Sequence, residues 1–308
     1  MNTDSITLEE IKKVHKENVG NLQEKFLKFQ SSFFSQIYKR YNKDLDKGII
    51  ILNFYSNTHR SILRVRENDL FHNISLNNFW SNCEIADKTN LKVISIAKKT
   101  GLPKETARRK VIELIDKKIL FLNKDKKILW KPSSINKKIY NNLIEEEIKE
   151  IAKFINVIGL NLKVSLSEGK IIEEIKKYFS FYWYHYLKSQ LSYLKNWKKK
   201  YKDLELYLIS IECVLQAAYD SKNYNIASNS ISNITGIPRS TCIRKLETLT
   251  KMKFLKKDNN TKKFLIDFKN FNSNIFIGKE LYNSGIDSFS YLFFVMIKAI
   301  DKPDSLKS

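Results

Sequence analysis

Apolar positions along the chain recur mainly at helical spacing. Between residues 22 and 41 they follow one another at steps of three and four residues, which predicts one amphipathic helix of about 20 residues. Its apolar stripe consists of Leu22, Phe26, Phe29, Phe33, Ile37 and Tyr41. Residues 141–158 and 170–200 show the same spacing, and Ser288–Ile300 predicts a final helix. The chain is therefore predicted to be mainly α, and the stripe is expected either in the core or in a dimer interface.

One segment of the chain recurs 135 residues later. Ile96–Leu120 and Ile231–Leu255 match without gaps and share ten identical residues in a window of 25. In the first copy these are Ile96, Thr100, Gly101, Pro103, Thr106, Arg109, Lys110, Leu114, Lys118 and Leu120. So many identities exceed what a biased composition accounts for, and they indicate an internal repeat. Upstream, residues 44–46 resemble residues 203–205, so the first copy carries about 24 extra residues within 60–91.

The pattern inside the first copy predicts two short helices. Lys92–Thr100 is expected to form the first, with Ile94 and Ala97 facing inward. Gly101 is expected to end it, because glycine adopts positive φ without steric penalty. Pro103 then stands where a helix tolerates a missing N–H, at the start of the second. In that second helix the inward face is predicted to hold Ala107, Val111 and Leu114.

A hairpin is predicted after each second helix. In the first copy Ile119–Leu122 and Lys127–Trp130 flank a polar turn; in the second copy Phe254–Leu255 and Phe264–Phe268 do so. Ser95–Leu120 and Ile231–Leu255 resemble the winged helix-turn-helix of bacterial transcriptional regulators of the MarR, IclR and GntR kind. The resemblance implies a mainly α fold with small β-hairpin wings, in which a helical segment joins two winged helix-turn-helix modules.

The resemblance also implies residues that bind double-stranded DNA. Major-groove contacts are expected from the outer face of each second helix: Lys104, Glu105, Thr106, Arg108, Arg109 and Lys110 in the first copy, and Arg239, Ser240, Thr241, Arg244 and Lys245 in the second. Phosphate contacts are expected from the wings: Lys124, Lys126, Lys127, Lys256, Lys257, Lys262 and Lys263. The second module has an alternative, a degenerate copy that contacts protein.

Two features depart from the family's pattern. Ile243 stands where the first copy has Arg108, so a phosphate or guanine contact is weakened there, although isoleucine suits a thymine methyl. Lys118 and Lys253 stand where those families usually have glycine before the wing, so the turn into each wing is expected to differ.

Positive charge is concentrated in the two copies. The chain has a net charge of +22, of which residues 92–131 supply +9 and residues 222–263 supply +8. A compositional bias toward lysine would spread the charge evenly, whereas this concentration is typical of a protein that binds the phosphate backbone.

The predicted organisation has five parts. N-terminal helices occupy 1–43, and the first winged helix-turn-helix occupies 44–135 with an insertion at about 60–91. A helical connector covers 136–200, the second winged helix-turn-helix covers 201–268, and a helical segment covers 269–308.

Signatures of other classes of protein are absent. No phosphate-binding glycine loop, nucleophile elbow or HExxH motif is found, so no catalytic residue and no cofactor are predicted. The cysteines Cys83, Cys213 and Cys242 are too far apart for a zinc site and are expected to be small buried residues. No apolar run approaches the roughly 20 residues of a membrane span. The expected location is the cytoplasm, on the nucleoid.

Three features leave more than one interpretation open. The aromatic run Tyr178–Tyr186 suits the core best, with an effector pocket or a base-stacking surface as alternatives. The helical segments allow a homodimer, and no effector ligand is identified. The predicted function is sequence-specific DNA binding and transcription regulation; a plasmid-type replication initiator and a chromosome-structuring subunit that binds protein are the alternatives.

Overall fold

The computed structural model describes residues 6–68, 74–86, 91–201, 203–219, 225–258, 260–261, 263–266 and 277–300. In these residues the chain is mainly helical with two small antiparallel β-hairpins, as the sequence predicts. The elements in chain order are α1 (Leu8–Glu17), α2 (Val19–Arg40), α3 (Leu45–Asn68), α4 (Phe79–Ala86), α5 (Val93–Thr100), α6 (Lys104–Asp116), β1 (Leu120–Leu122), β2 (Ile128–Trp130), α7 (Ser134–Asn161), α8 (Glu168–Lys177), α9 (Phe179–Tyr201), α10 (Leu204–Tyr219), β3 (Asn225–Ile226), α11 (Ser228–Thr235), α12 (Arg239–Lys251), β4 (Leu255–Lys257), β5 (Phe264–Ile266) and α13 (Ile277–Ile300).

The chain folds into two compact units, each made from separate stretches of sequence. The first unit comprises Met1–Glu17, Ile49–Lys195 and Ser288–Ser308; the second comprises Asn18–Gly48 and Asn196–Asp287. The units therefore differ from the continuous ranges predicted from the sequence. Most of the predicted connector, 136–200, belongs to the first unit, because its helices pack beside elements that are distant along the chain.

The first unit has an aromatic core. His59 is fully buried and stacks on Phe79 with ring centroids 4.6 Å apart. In the aromatic run, Phe179, Tyr182, Trp183 and Tyr186 are buried, whereas the remaining aromatic residues are half-buried. The interpretation of these four residues as core is confirmed.

In the second unit, α2 packs against α10. The six stripe residues predicted on α2 are all buried within the chain, so their place in the core is confirmed. Phe26 meets Tyr282 edge-to-face at 6.0 Å, and Phe34 meets Tyr207 in the same way at 5.4 Å. Such edge-to-face contacts stabilise the unit beyond the burial of apolar area alone.

Both predicted hairpins form. β1 pairs with β2 in the first unit, with Leu120 opposite Trp130. In the second unit the strand order is β3-β5-β4, with Leu255 opposite Ile266. The first unit has a single bridge, Leu91 to Ile128, where the second has β3 paired with β5.

Two details differ from the sequence prediction. Ile94 was expected to face inward but is 63% exposed, whereas Ile96 is fully buried. At 3.6 residues per turn, residues 94 and 96 lie on nearly opposite sides of a helix, so both cannot face the core. The last helix also begins earlier than predicted, at Ile277.

The remaining features concern the cysteines, membrane-spanning helices and metal-ligating groups. The cysteines Cys83, Cys213 and Cys242 are buried, as predicted. Among the described residues, no helix is long and apolar enough to cross a membrane, and no group of metal-ligating side chains is found.

Candidate nucleic-acid interface

The joint between the two short helices has the same backbone conformation in both repeats. Gly101 ends α5 at φ 67°, and Gly236 ends α11 at φ 76°. Pro103 and Pro238 each precede the next helix at φ −54°. Both glycines therefore adopt the left-handed conformation that the sequence predicted, and both prolines lie just before the first helical residue.

A buried threonine fixes each joint. Thr100 donates its hydroxyl hydrogen to the carbonyl oxygen of Ile96 at 2.7 Å and accepts a bond from the Leu102 amide at 3.4 Å. Thr235 makes the equivalent bonds at 2.7 and 3.1 Å. These bonds satisfy polar groups that would otherwise be buried without partners. The identity of Thr100 and Thr235 is visible in the sequence, whereas their hydrogen bonds across the joint are visible only in the structure.

The second helix of each repeat separates an apolar face from a polar one. In α6 the residues Ala107, Val111 and Leu114 are buried, as predicted, and α12 buries Cys242, Leu246 and Leu249. The residues predicted to contact DNA are exposed or half-buried. Exposed ones are Lys104, Glu105, Arg108, Arg109, Arg239, Ser240 and Arg244, and half-buried ones are Thr106, Lys110, Thr241 and Lys245.

An ion pair distinguishes the outer face of α6 from that of α12. Arg108 Nε donates to Glu105 Oε2 at 2.8 Å, and this contact lowers the pKa of Glu105. The equivalent residues of α12, Ile243 and Ser240, are both uncharged. The pair contributes no net charge, and both helices expose a cation at two equivalent positions: Lys104 and Arg109 in α6, Arg239 and Arg244 in α12.

Lys245 has carboxylate partners within its own unit. Its ammonium group is paired with Asp203 and lies 3.9 Å from Glu205, and its side chain is only 15% exposed. Asp203 also accepts a bond from the backbone amide of Leu206, at 3.0 Å, in the first turn of α10. Lys245 therefore connects α12 to the start of α10, and a groove contact would compete with these carboxylates.

The turn into each hairpin is shared as well. Lys118 has φ 55° and Lys253 has φ 59°, so both occupy the left-handed region that glycine prefers. The amide of Lys118 donates to Ile115 at 2.8 Å, and that of Lys253 donates to Thr250 at 2.9 Å. Lysine therefore stands where the resembling families usually have glycine, and the turn still has the left-handed conformation that glycine prefers.

The hairpins carry most of the predicted phosphate-binding lysines on their surface. Lys124, Lys126, Lys256, Lys257 and Lys263 are exposed, Lys127 is half-buried, and Lys262 lies outside the described residues. The amide of Lys127 donates to Asn123 Oδ1 at 2.8 Å, which closes the first turn.

The first hairpin also exposes apolar side chains, which sequence reasoning missed. Phe121 is 37% and Leu122 is 54% exposed, whereas the same positions of the second repeat hold Lys256 and Lys257. A comparison of the two aligned copies, position by position, would have shown this contrast.

No family model, curated protein or solved structure matches this chain. Its function is therefore argued from the geometry of the two repeats.

Proposed function

We propose that this chain is a transcriptional regulator that binds duplex DNA sequence-specifically through two winged helix-turn-helix modules. The first module centres on α5, α6 and the β1–β2 hairpin, and the second on α11, α12 and the β4–β5 hairpin. In each, the second short helix would enter the major groove and the hairpin would lie along the phosphate backbone.

One observation carries the proposal: the two repeats expose cations at the same two positions of an otherwise similar helix. Lys104 and Arg239 are the first residues of their helices, and Arg109 and Arg244 lie five residues further on. All four are exposed, and the concentration of net charge in the repeats favours a polyanionic partner.

Arg109 and Arg244 are the proposed base-reading residues. An arginine that reaches the groove can bind guanine through two parallel hydrogen bonds. Lys104 and Arg239, at the N-terminal ends of the helices, are assigned to phosphates beside the groove. The neighbouring positions differ between the copies, so the two modules would read half-sites of different sequence.

Two modules in one chain also raise affinity without dimerisation. Once one module is bound, the other experiences a high effective concentration of neighbouring DNA, provided that the two half-sites are suitably spaced. Loss of either module would then weaken binding strongly.

The test is binding to random-sequence duplex DNA at several salt concentrations, followed by selection of a specific site. Arg109→Ala and Arg244→Ala should each weaken specific binding about 5- to 100-fold, since one good base contact is worth about 1–3 kcal/mol. Lys188→Ala is the matched control, because Lys188 is exposed on α9 and lies outside both repeats.

Equal losses in all three variants would mean that net charge alone governs binding. Absence of binding at low salt would contradict the proposal and favour modules that contact protein. A perfectly palindromic site bound by a symmetric dimer would contradict the assignment of different half-sites.

A further inference from the structure

A cavity of about 360 Å³ lies in the second unit among α2, α10 and α11. Its volume falls in the range of small-molecule sites, about 300–1,000 Å³. Along α2 its wall is formed by the polar side opposite the apolar stripe, including Ser31, Ser32, Ser35 and Gln36. Three- and four-residue steps place these side chains on one face of the helix, turned toward α10.

A buried carboxyl group, that of Glu212, lines the cavity. Glu212 is 2% exposed, and Ser31 donates its hydroxyl hydrogen to one of its oxygens. Burial raises the pKa of Glu212, although the bond from Ser31 lowers it. A ligand with a hydroxyl or amino hydrogen would stabilise this carboxyl group by donating to it.

Further polar atoms of the wall have no partner in the described part of the protein. The hydroxyl of Ser35, Gln36 Oε1 and Gln216 Nε2 are buried and make no hydrogen bond there, and Ser35 is only 5% exposed. A buried polar atom without a partner costs about 1–3 kcal/mol, so these three atoms favour a polar occupant of the cavity over an apolar one.

Two lysines mark the ends of the polar wall. Lys28 and Lys39 are exposed, line the cavity, and stand eleven residues apart on α2, about 16 Å along the helix. Neither ammonium group makes an ion pair with a described residue. Both are therefore available to attract an anion.

We propose that this cavity binds a small organic anion that also carries a hydroxyl or amino donor. The acidic group of the ligand would lie toward Lys28 or Lys39. Its donor would face Glu212, and the hydroxyl and amide groups of the wall would complete the contacts.

The cavity also reaches the second repeat. Ile234 of α11 lines it, and the Lys39 side chain lies 3.2 Å from the point where a Cβ on Gly236 would stand. An occupant would therefore touch both the helix before the α11–α12 joint and the lysine beside that joint. If the proposed function holds, the ligand acts as an effector that changes the DNA affinity of the second module.

The binding part can be tested by cysteine labelling with charged methanethiosulfonates. Ser32→Cys places a thiol on the half-buried cavity wall, while the three natural cysteines are buried. Burial raises the pKa of Cys242 to about 11, which lowers its reactivity further. The probes are the anionic sulfonatoethyl reagent and the cationic trimethylammonioethyl reagent. Asn283→Cys, exposed in the same unit, is the control that corrects for reagent reactivity and overall charge.

We expect the anion-to-cation rate ratio at Ser32→Cys to exceed that at Asn283→Cys about tenfold, as one nearby positive charge would produce. Lys28→Gln with Lys39→Gln should bring the ratio down to that of the control. Equal ratios at the two sites, or no reaction at Ser32→Cys with either reagent, would overturn the proposed site. Circular dichroism checks that each variant is folded.

The regulatory part is tested by DNA binding of the Ser32→Cys protein with and without the sulfonatoethyl group. A several-fold change in affinity that Arg244→Ala abolishes is the expected result. An unchanged affinity would overturn the effector role and leave the anion site standing. If the unlabelled protein binds no DNA, the proposed function fails, and the labelling ratio still decides whether the site exists.

Discussion

In the first repeat α6 carries an ion pair between Arg108 and Glu105, whereas the same positions of α12 in the second repeat hold Ile243 and Ser240. A second difference involves one position on each of these helices and one on the hairpin that follows it. Ile112 and Leu122 of the first repeat are exposed, and their counterparts Glu247 and Lys257 lie 4.0 Å apart as an ion pair. An apolar pair on one repeat thus corresponds to a charged pair on the other.

What the repeats share is the conformation of the joint and the buried face. Each has a left-handed glycine, a proline before the second helix and a threonine that bonds across the joint. These positions fix the backbone, because few residues suit positive φ or a buried hydroxyl. The exposed positions are free of such constraints, so similar folds carry different surfaces.

Exposed residues on the edge strands also differ between the repeats. β1 lies at the edge of its sheet with Phe121 and Leu122 exposed, whereas β4 presents Lys256 and Lys257 at its own edge. Lysines on an edge strand discourage pairing with other chains. β1 lacks that protection.

A buried carboxyl group of the first unit, that of Glu147, gives the largest expected effect. Glu147 is fully enclosed in the first unit, where burial raises its pKa to about 8 despite a 2.8 Å bond from the Tyr186 hydroxyl. Because the folded chain holds this proton to higher pH than the unfolded chain, its contribution to stability is lost as pH rises from about 4.5 to about 8. Over that range we expect the contribution of Glu147 to the free energy of unfolding to fall by about 4 kcal/mol, against opposite contributions from His15, His59 and His185, whose pKa values burial lowers.

Glu147→Gln should remove this contribution, since glutamine still accepts the Tyr186 bond without titrating. Between pH 5 and pH 8 the free energy of unfolding of the variant should therefore change by about 3–4 kcal/mol in the stabilising direction relative to wild type. Urea unfolding at pH 5 and pH 8 measures the difference. Glu146→Gln, an exposed neighbour on α7, should leave the pH dependence nearly intact. Identical pH dependence in wild type and Glu147→Gln would show that Glu147 does not carry the effect.

The second prediction separates two adjacent residues of α12. Lys245→Met should lower the free energy of unfolding of the second unit by about 1–2 kcal/mol, because it leaves Asp203 and Glu205 without their cation in a half-buried setting. Thermal unfolding measures the loss, and the exposed Arg244→Ala serves as the control, with little change. In the DNA-binding assay we expect the reverse: Arg244→Ala should weaken binding more than Lys245→Met does. Loss of DNA binding in Lys245→Met at full stability would restore the groove role first assigned to Lys245.

The sequence predicted the two short helices of each repeat and the joint between them because the constraints there are local. Gly101 and Pro103 report backbone conformation directly, and the spacing of Ala107 and Val111 reports a helix face. The division into units depends instead on packing between distant helices, which periodicity does not encode. The Lys245 ion pair escaped prediction for the same reason, as Asp203 is 42 residues away.

The third prediction exchanges the hairpin surfaces and rests on the proposed function. Phe121→Lys with Leu122→Lys gives the first hairpin the lysines of the second. Each new phosphate contact should steepen the salt dependence of DNA binding by about 1 unit and raise affinity about fivefold at moderate salt. Val65→Lys with Leu160→Lys adds the same charge at exposed apolar positions outside the repeats. An equal gain from both pairs would indicate overall charge rather than a contact made by the hairpin.

The smallest expected effect tests what the repeats share. Lys118 and Lys253 hold a left-handed conformation that costs an L-residue about 1–2 kcal/mol, partly offset by the greater freedom of glycine in the unfolded chain. Lys118→Gly and Lys253→Gly should therefore each stabilise their own unit by about 0.5–1 kcal/mol in urea unfolding. Lys117→Gly, at φ −81°, should destabilise instead, and Lys118→Ala separates loss of charge from relief of strain. Similar increases in the free energy of unfolding at 118 and 253 would mean that the backbone is equivalent in both repeats. Their differences would then lie in the exposed side chains. An increase at only one would place a difference within the backbone itself.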